Sequence, residues 1–162
     1  MKKFIALFAL MVITLASYAQ VYKMYNTRNY HNQLRLNTMT GEVQQIQDDG
    51  QSWIVCSARE ISGDKESRFR LYETQNMWTF ILLDSYNGRL WQVQYSAQDL
   101  DNLFCIPINK YELVSDNENC IFSIQPLTSM YQYYLINDRT GDIWKFQWST
   151  KGDDYRWIEK FK

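Results

Sequence analysis

Histidine occurs once in this chain, at His31, and that scarcity excludes more than any other feature of the composition. A serine or cysteine nucleophile needs an imidazole beside it, so any hydrolase of that kind would have to run through this one residue. Three cysteines without partnering histidines make a poor metal site, and no zinc spacing or Gly-rich phosphate loop occurs. Only two prolines are present, and no low-complexity run or linker interrupts the chain. It reads as one unit. Net charge is nearly absent as well, with 17 basic against 18 acidic residues and no basic stripe. That excludes nucleic acid and anionic membrane surfaces as expected partners. No cofactor is implied.

Long apolar runs are missing except at the start. Lys2 and Lys3 precede an apolar run at residues 4–16, then "ASYAQ" places small Ser17 and Ala19 where a signal peptidase reads. The pattern predicts a signal peptide at residues 1–19, cleaved before Gln20, because the run is shorter than the roughly 20 residues that span a bilayer. No later segment spans a membrane. Without Lys2 and Lys3, 15 basic residues face 18 acidic ones, a net charge of −3. The expected product is exported and soluble, in the periplasm or outside the cell. Such a compartment permits disulfides, but Cys56, Cys105 and Cys120 are an odd number. Cys56 and Cys105 sit in the apolar runs "SWIVCS" and "LFCIPIN", so buried free thiols and a bridge both stand open.

Against these absences the chain repeats itself. Aligned on Gly41, Gly88 and Gly141, the twenty residues ending on each glycine read "YKMYNTRNYHNQLRLNTMTG", "FRLYETQNMWTFILLDSYNG" and "FSIQPLTSMYQYYLINDRTG". Tyr22, Phe69 and Phe122 open the copies, Asn37, Asp84 and Asn137 precede the glycines by four, and Gln47, Gln94 and Gln147 follow them by six. Three copies result, at about 21–66, 67–119 and 120–162, within a single domain at 20–162. Dense β-branched and aromatic runs, an Asx–Gly turn and an alternating run after it predict a hairpin in each copy. Trp91, Val93 and Tyr95 should face a core, as should Trp144, Phe146 and Trp148, with Gln92 and Gln94 on a polar face. Flanking runs bring each copy to about four short antiparallel strands. The fold class is therefore all-β, with β-trefoil-like barrel closure preferred and propeller-like blades as the alternative. Three blades would require a homodimer or an irregular assembly, since single-chain propellers usually have at least 4.

The strings "YETQNMWTFILLDSYNGRLWQVQYS" and "GDIWKFQWS" resemble a group of small exported proteins of Bacteroidota, which repeat T-Q-N-M…F-x-L-L-D-x-x-x-G-R-x-W-Q-V-Q. The likeness covers most of residues 20–162, is strongest in the second copy, and weakens in the first, where Gln44 replaces Trp91 and Trp144. It implies export and repeat architecture but no particular activity. A fainter similarity of "INDRTGDIW" to the blades of quinoprotein dehydrogenases departs by one residue in the Gly-to-Trp spacing, and no quinone is carried over. Gln94-Tyr95 and Gln147-Trp148 lack the intervening residue of the Q-x-W motif of trefoil lectins.

The candidate binding residues are the strand-start positions His31, Trp78 and Tyr131, which would surround a pseudo-threefold axis if the copies are equivalent. Their aromatic character suits an interface with a glycan or a protein. Gln47, Gln94 and Gln147 are expected to bond turn backbone. The sequence thus favours a non-catalytic binding or structural module. A small glycan-active enzyme using the turn carboxylates Asp84, Asp99 and Asp101 is the alternative. "DLDN" at 99–102 has alternating oxygen ligands, but lacks the Gly and distal Glu of a calcium loop.

Overall fold

The turn after each copy's second strand is built by one side chain. In the computed structural model, which describes residues 20–97, 99–115 and 121–161, Asn37 Oδ1 accepts the Met39 and Thr40 N–H groups at 2.9 and 3.1 Å. Asn137 Oδ1 does the same for Arg139 and Thr140 at 3.0 and 3.1 Å. Asp84 Oδ1 accepts the Tyr86 N–H at 3.0 Å. Gly41, Gly88 and Gly141 then donate their N–H to the Asx carbonyl at 2.9, 3.0 and 2.8 Å, with φ of 78°, 77° and 75°. That left-handed conformation is why glycine stands there. The predicted signal segment and Cys120 lie outside the described residues.

Twelve strands follow among the described residues. The first four are β1 (Tyr22–Asn26), β2 (Asn32–Asn37), β3 (Val43–Gln47) and β4 (Ser52–Cys56). Then come β5 (Phe69–Glu73), β6 (Thr79–Asp84), β7 (Leu90–Gln94) and β8 (Phe104–Pro107). The last four are β9 (Phe122–Pro126), β10 (Gln132–Asn137), β11 (Ile143–Gln147) and β12 (Trp157–Lys160). Each group of four is an antiparallel meander, in the orders β1-β2-β3-β4, β5-β6-β7-β8 and β9-β10-β11-β12. Matching residues take matching registers: Leu34 pairs with Gln45, Ile81 with Gln92 and Tyr134 with Lys145. A helical turn, Ala58–Ile61, capped by the Ser57 side chain, leads from the first sheet to the second.

No ladder joins one sheet to another among the described residues, and no barrel closes. The sheets stack face to face instead. Leu34, Leu36 and Val43 of the first pack against Phe80, Leu82 and Trp91 of the second. Ile81, Leu83 and Leu90 of the second pack against Tyr133, Leu135 and Trp144 of the third. Every residue of β6 is consequently buried. Much of the polar face expected for β7 is also buried: Leu90 and Gln92 are fully covered, and Gln94 is half-buried. Alternation predicts a half-solvated strand, but the middle sheet has a neighbour on each side. Trp91 and Trp144 are core, as their register requires.

The two joins between sheets are made alike. Phe69 donates its N–H to the Thr38 carbonyl at 2.9 Å, and Phe122 donates to Ser85 at 3.0 Å. Gln45 Nε2 donates to the Ser96 carbonyl at 2.6 Å and its Oε1 accepts the Ser96 N–H at 3.2 Å. Gln92 Oε1 accepts the Ser149 N–H at 3.2 Å. A Cβ added to Gly41 would meet the Phe69 ring and Ile61, and one added to Gly88 would lie 3.1 Å from the Phe122 ring and 3.0 Å from Leu113. Nothing lies within 4 Å at Gly141. Gly141→Ala should therefore lose only about 1–2 kcal/mol, from the positive φ, while Gly88→Ala should lose about 1–3 kcal/mol more by overpacking. Urea midpoints measure the difference, and equal losses would mean that the Phe122 ring does not rest on its turn.

The first join carries one bond more. Of the two alternatives open for Cys56 and Cys105, the structure takes the bridge: they form a disulfide across a Cα–Cα distance of 5.2 Å, tying β4 to β8.

Candidate functional site

In every sheet the residue just before the second strand is placed by the turn that precedes it. Asn29 Oδ1 accepts the His31 N–H at 3.1 Å, Asn76 Oδ1 that of Trp78 at 2.8 Å, and Ser129 Oγ that of Tyr131 at 3.4 Å. Each cap stands twelve residues before its turn glycine. Short Asx and Ser side chains favour such local bonds over strand pairing, so the hairpin bends at the same place each time.

The partner of each strand-start side chain is the residue seven beyond the glycine. Trp78 packs on Tyr95 with ring centroids 5.3 Å apart, and Tyr131 on Trp148 at 4.9 Å. Both partners are tethered to their own hairpin: Tyr95 O–H donates to the Met77 carbonyl at 2.6 Å, and Trp148 Nε1–H to the Met130 carbonyl at 3.0 Å. Burial pushes the Tyr95 phenol above its ordinary pKa, so it stays a neutral donor. In the first sheet the pair is polar. His31 Nδ1 lies 2.6 Å from Asp48 Oδ2, and this bond holds the exposed Asp48 carboxyl below its ordinary value.

Beside each pair is a hollow. The Trp78 hollow holds about 600 Å³, the Tyr131 hollow about 200 Å³ and the His31 hollow about 130 Å³. Each of the three candidate residues lines its own hollow. Gln94 and Gln147 line theirs too, and donate to the carbonyls of Asn102 at 3.4 Å and Tyr155 at 3.0 Å. Gln47 donates to Ala97 of the neighbouring sheet at 3.2 Å. Gln94 and Gln147 thus make the turn-backbone bonds expected within their own copies, while Gln47 reaches the next copy instead.

The Trp78 hollow is the largest and chemically the richest. The partly buried indole forms its apolar wall, while Gln94, Asp99 and Asn102 from the second sheet and Asn29 from the first add polar groups. Asp99 is anchored within the 3-10 turn Leu100–Asn102, where Oδ1 accepts the Asp101 N–H at 3.0 Å and Oδ2 accepts Asn102 Nδ2 at 2.8 Å. "DLDN" is thus a self-capped turn. Among the described residues no three His, Cys, Asp or Glu side chains come together to hold a metal.

No known protein family, curated protein or solved structure matches this chain. Its chemistry must be read from the side chains alone. The carboxylates considered for catalysis are divided between the two ends of the second sheet. Asp99 and Asp101 belong to the Trp78 end, whereas Asp84 closes the opposite end of β6, where Arg68 Nε and Nη2 hold its Oδ2 at 2.9 and 2.7 Å. A strand of six residues separates them. Asn29 was not legible as a site residue in the sequence. Asn29 is visible as the aligned equivalent of Asn76 and Ser129, but its place beside Trp78 depends on the stacking of two sheets. No helix among the described residues is long and apolar enough to cross a membrane.

Proposed function

We propose that this chain is an exported, non-catalytic binding module that takes a glycan in the Trp78 hollow. One observation carries the reading: Trp78 lines an open hollow of about 600 Å³ together with Asn29, Gln94, Asp99 and Asn102. A sugar ring needs both, an apolar wall for its C–H face and convergent amides or carboxylates for its hydroxyls. Export, to the periplasm or beyond, is supported by the signal-like residues 1–19 and fits the Cys56–Cys105 bridge, which persists in oxidising compartments. The likeness to Bacteroidota repeat proteins agrees with that location. Stacked sheets without ladders between them favour blade-like units over a trefoil-like barrel, which closes through strand pairing.

Asp99 at the hollow's rim is the feature that favours a second reading, a small glycan-active enzyme. An array of host and bacterial glycans, followed by titration of intrinsic Trp fluorescence, tests both. Trp78→Ala should weaken binding of the best glycan roughly thirtyfold, about 2 kcal/mol, with the glycan recovered uncleaved. Cleavage that disappears in Asp99→Asn would establish the enzyme instead. A blank array would reject the glycan site.

A further inference from the structure

The joins inside the chain leave one half-join open at each end of the stack. In both internal joins an aromatic at the start of one sheet is buried beside the turn glycine of the sheet before it. Phe69 is 1% exposed next to Gly41, and Phe122 is 0% exposed next to Gly88. Tyr22 is the same residue in the first sheet, yet it stands 51% exposed, and Gly141, the same glycine in the third, has nothing over it. The outer face of the third sheet continues the pattern. Tyr134, Ile136 and Ile143 occupy the positions of Ile81, Leu83 and Leu90, which the second sheet buries completely. Ile143 is 37% exposed and Phe161, beside it, 50%.

We propose that this open face receives a second copy of the chain, whose first sheet packs on the third by the same join that operates twice within each molecule. The charges complement one another. Gln45 and Gln92, which bridge the internal joins, are replaced by Lys145, and Ser96 and Ser149, which they hold, are replaced by Asp49. The third join therefore brings an ammonium to a carboxylate where the other two bring an amide to backbone. Lys145 now lies over the Trp157 ring at 5.7 Å, and Asp49 accepts from Gln51. Both remain at the surface. The other charges fit as well. Arg35, at the position of Leu82 and Leu135, is bonded to Gln44 and lies over Tyr22, while Glu159 stands in register with Lys145 on the receiving face. Docking would also complete the His31 hollow. At the first join Asn29 reaches the Trp78 hollow from the preceding sheet; at the third, Ser129 of the receiving copy would stand in its place beside His31 of the docked one. A repeat surface left apolar at a terminus demands a cap or a neighbour. Two head-to-tail contacts form a closed pair if the rotation permits, and an open chain if it does not.

The test is the mass of the exported chain by light scattering and sedimentation, from low to high micromolar concentration. The expected result is association, to a dimer or a longer ladder. Lys145→Glu and Asp49→Lys should each weaken association roughly tenfold or more, because like charges then face each other. The double variant should restore it, and near-UV circular dichroism should stay unchanged throughout. A monomer at every concentration would overturn the proposal. So would association that neither single substitution weakens, since that would place the contact on another face.

Discussion

Replacing either member of the buried Arg68–Asp84 pair should cost the fold about 3–5 kcal/mol, and replacing both together should return most of it. The pair lies at the turn end of the second sheet, with side chains only 5% and 2% exposed. Arg68 grips one carboxylate oxygen through Nε and Nη2 and lies near the rings of Phe69 and Tyr86. Arg68→Ile removes the buried cation that grips the carboxylate, and Asp84→Asn removes the buried carboxylate from a guanidinium that keeps the exposed Asp64 3.6 Å away. The third sheet shows what a neutral version looks like, because Ile121 and Asn137 occupy the equivalent positions. Asn137 still caps its turn, so Asp84→Asn preserves the acceptor that orders the Tyr86 amide. Arg68→Ile with Asp84→Asn converts the second copy to the chemistry of the third. A double-mutant cycle by urea denaturation measures the coupling. Additive losses would show that the charges do not depend on one another.

That pair explains why part of the fold was legible in the sequence and part was not. The hairpins could be read because their signals are local: an Asx residue, a glycine four residues on, and alternation after it. The twelve short strands follow from that pattern. Stacking is a relation between copies and leaves no local trace. Phe80 and Ile81 are neighbours of similar character, and nothing near them says that one faces the first sheet and the other the third. Gln92 reads as a surface residue until the third sheet covers it. Asp84 reads as a solvated turn acid until Arg68 is seen beside it. The candidate site shows the same division. Trp78 was found because its equivalents, His31 and Tyr131, mark a recurring strand start. Asn29 was not, because it enters the Trp78 hollow from the neighbouring sheet.

Breaking the Cys56–Cys105 bridge is the other large loss expected. The two residues are 49 apart in sequence, and closing a loop of that size restricts the unfolded chain by roughly 4 kcal/mol in the loop-entropy account. The bridge ties β4 of the first sheet to β8 of the second, while the second and third sheets hold together through Phe122, Trp144 and their neighbours. The first sheet's outer face carries Gln33, Arg35 and Gln44 where the second copy has Phe80, Leu82 and Trp91, so its apolar contacts to the rest of the chain come from its inner face, Leu34, Leu36 and Val43. Among the described residues it has no second join. Reduction, or replacing both cysteines by serine, should therefore release the first sheet before the other two. Urea denaturation of the reduced chain should show an early transition, while the oxidised chain unfolds in one step. Trp53, the tryptophan of the first sheet, lies in β4 and should report the early phase by its fluorescence. A single transition shifted as a whole would mean that the three sheets stay cooperative without the bridge. An unshifted transition would mean that the bridge adds nothing to the packing of Leu34, Leu36 and Val43 against the second sheet.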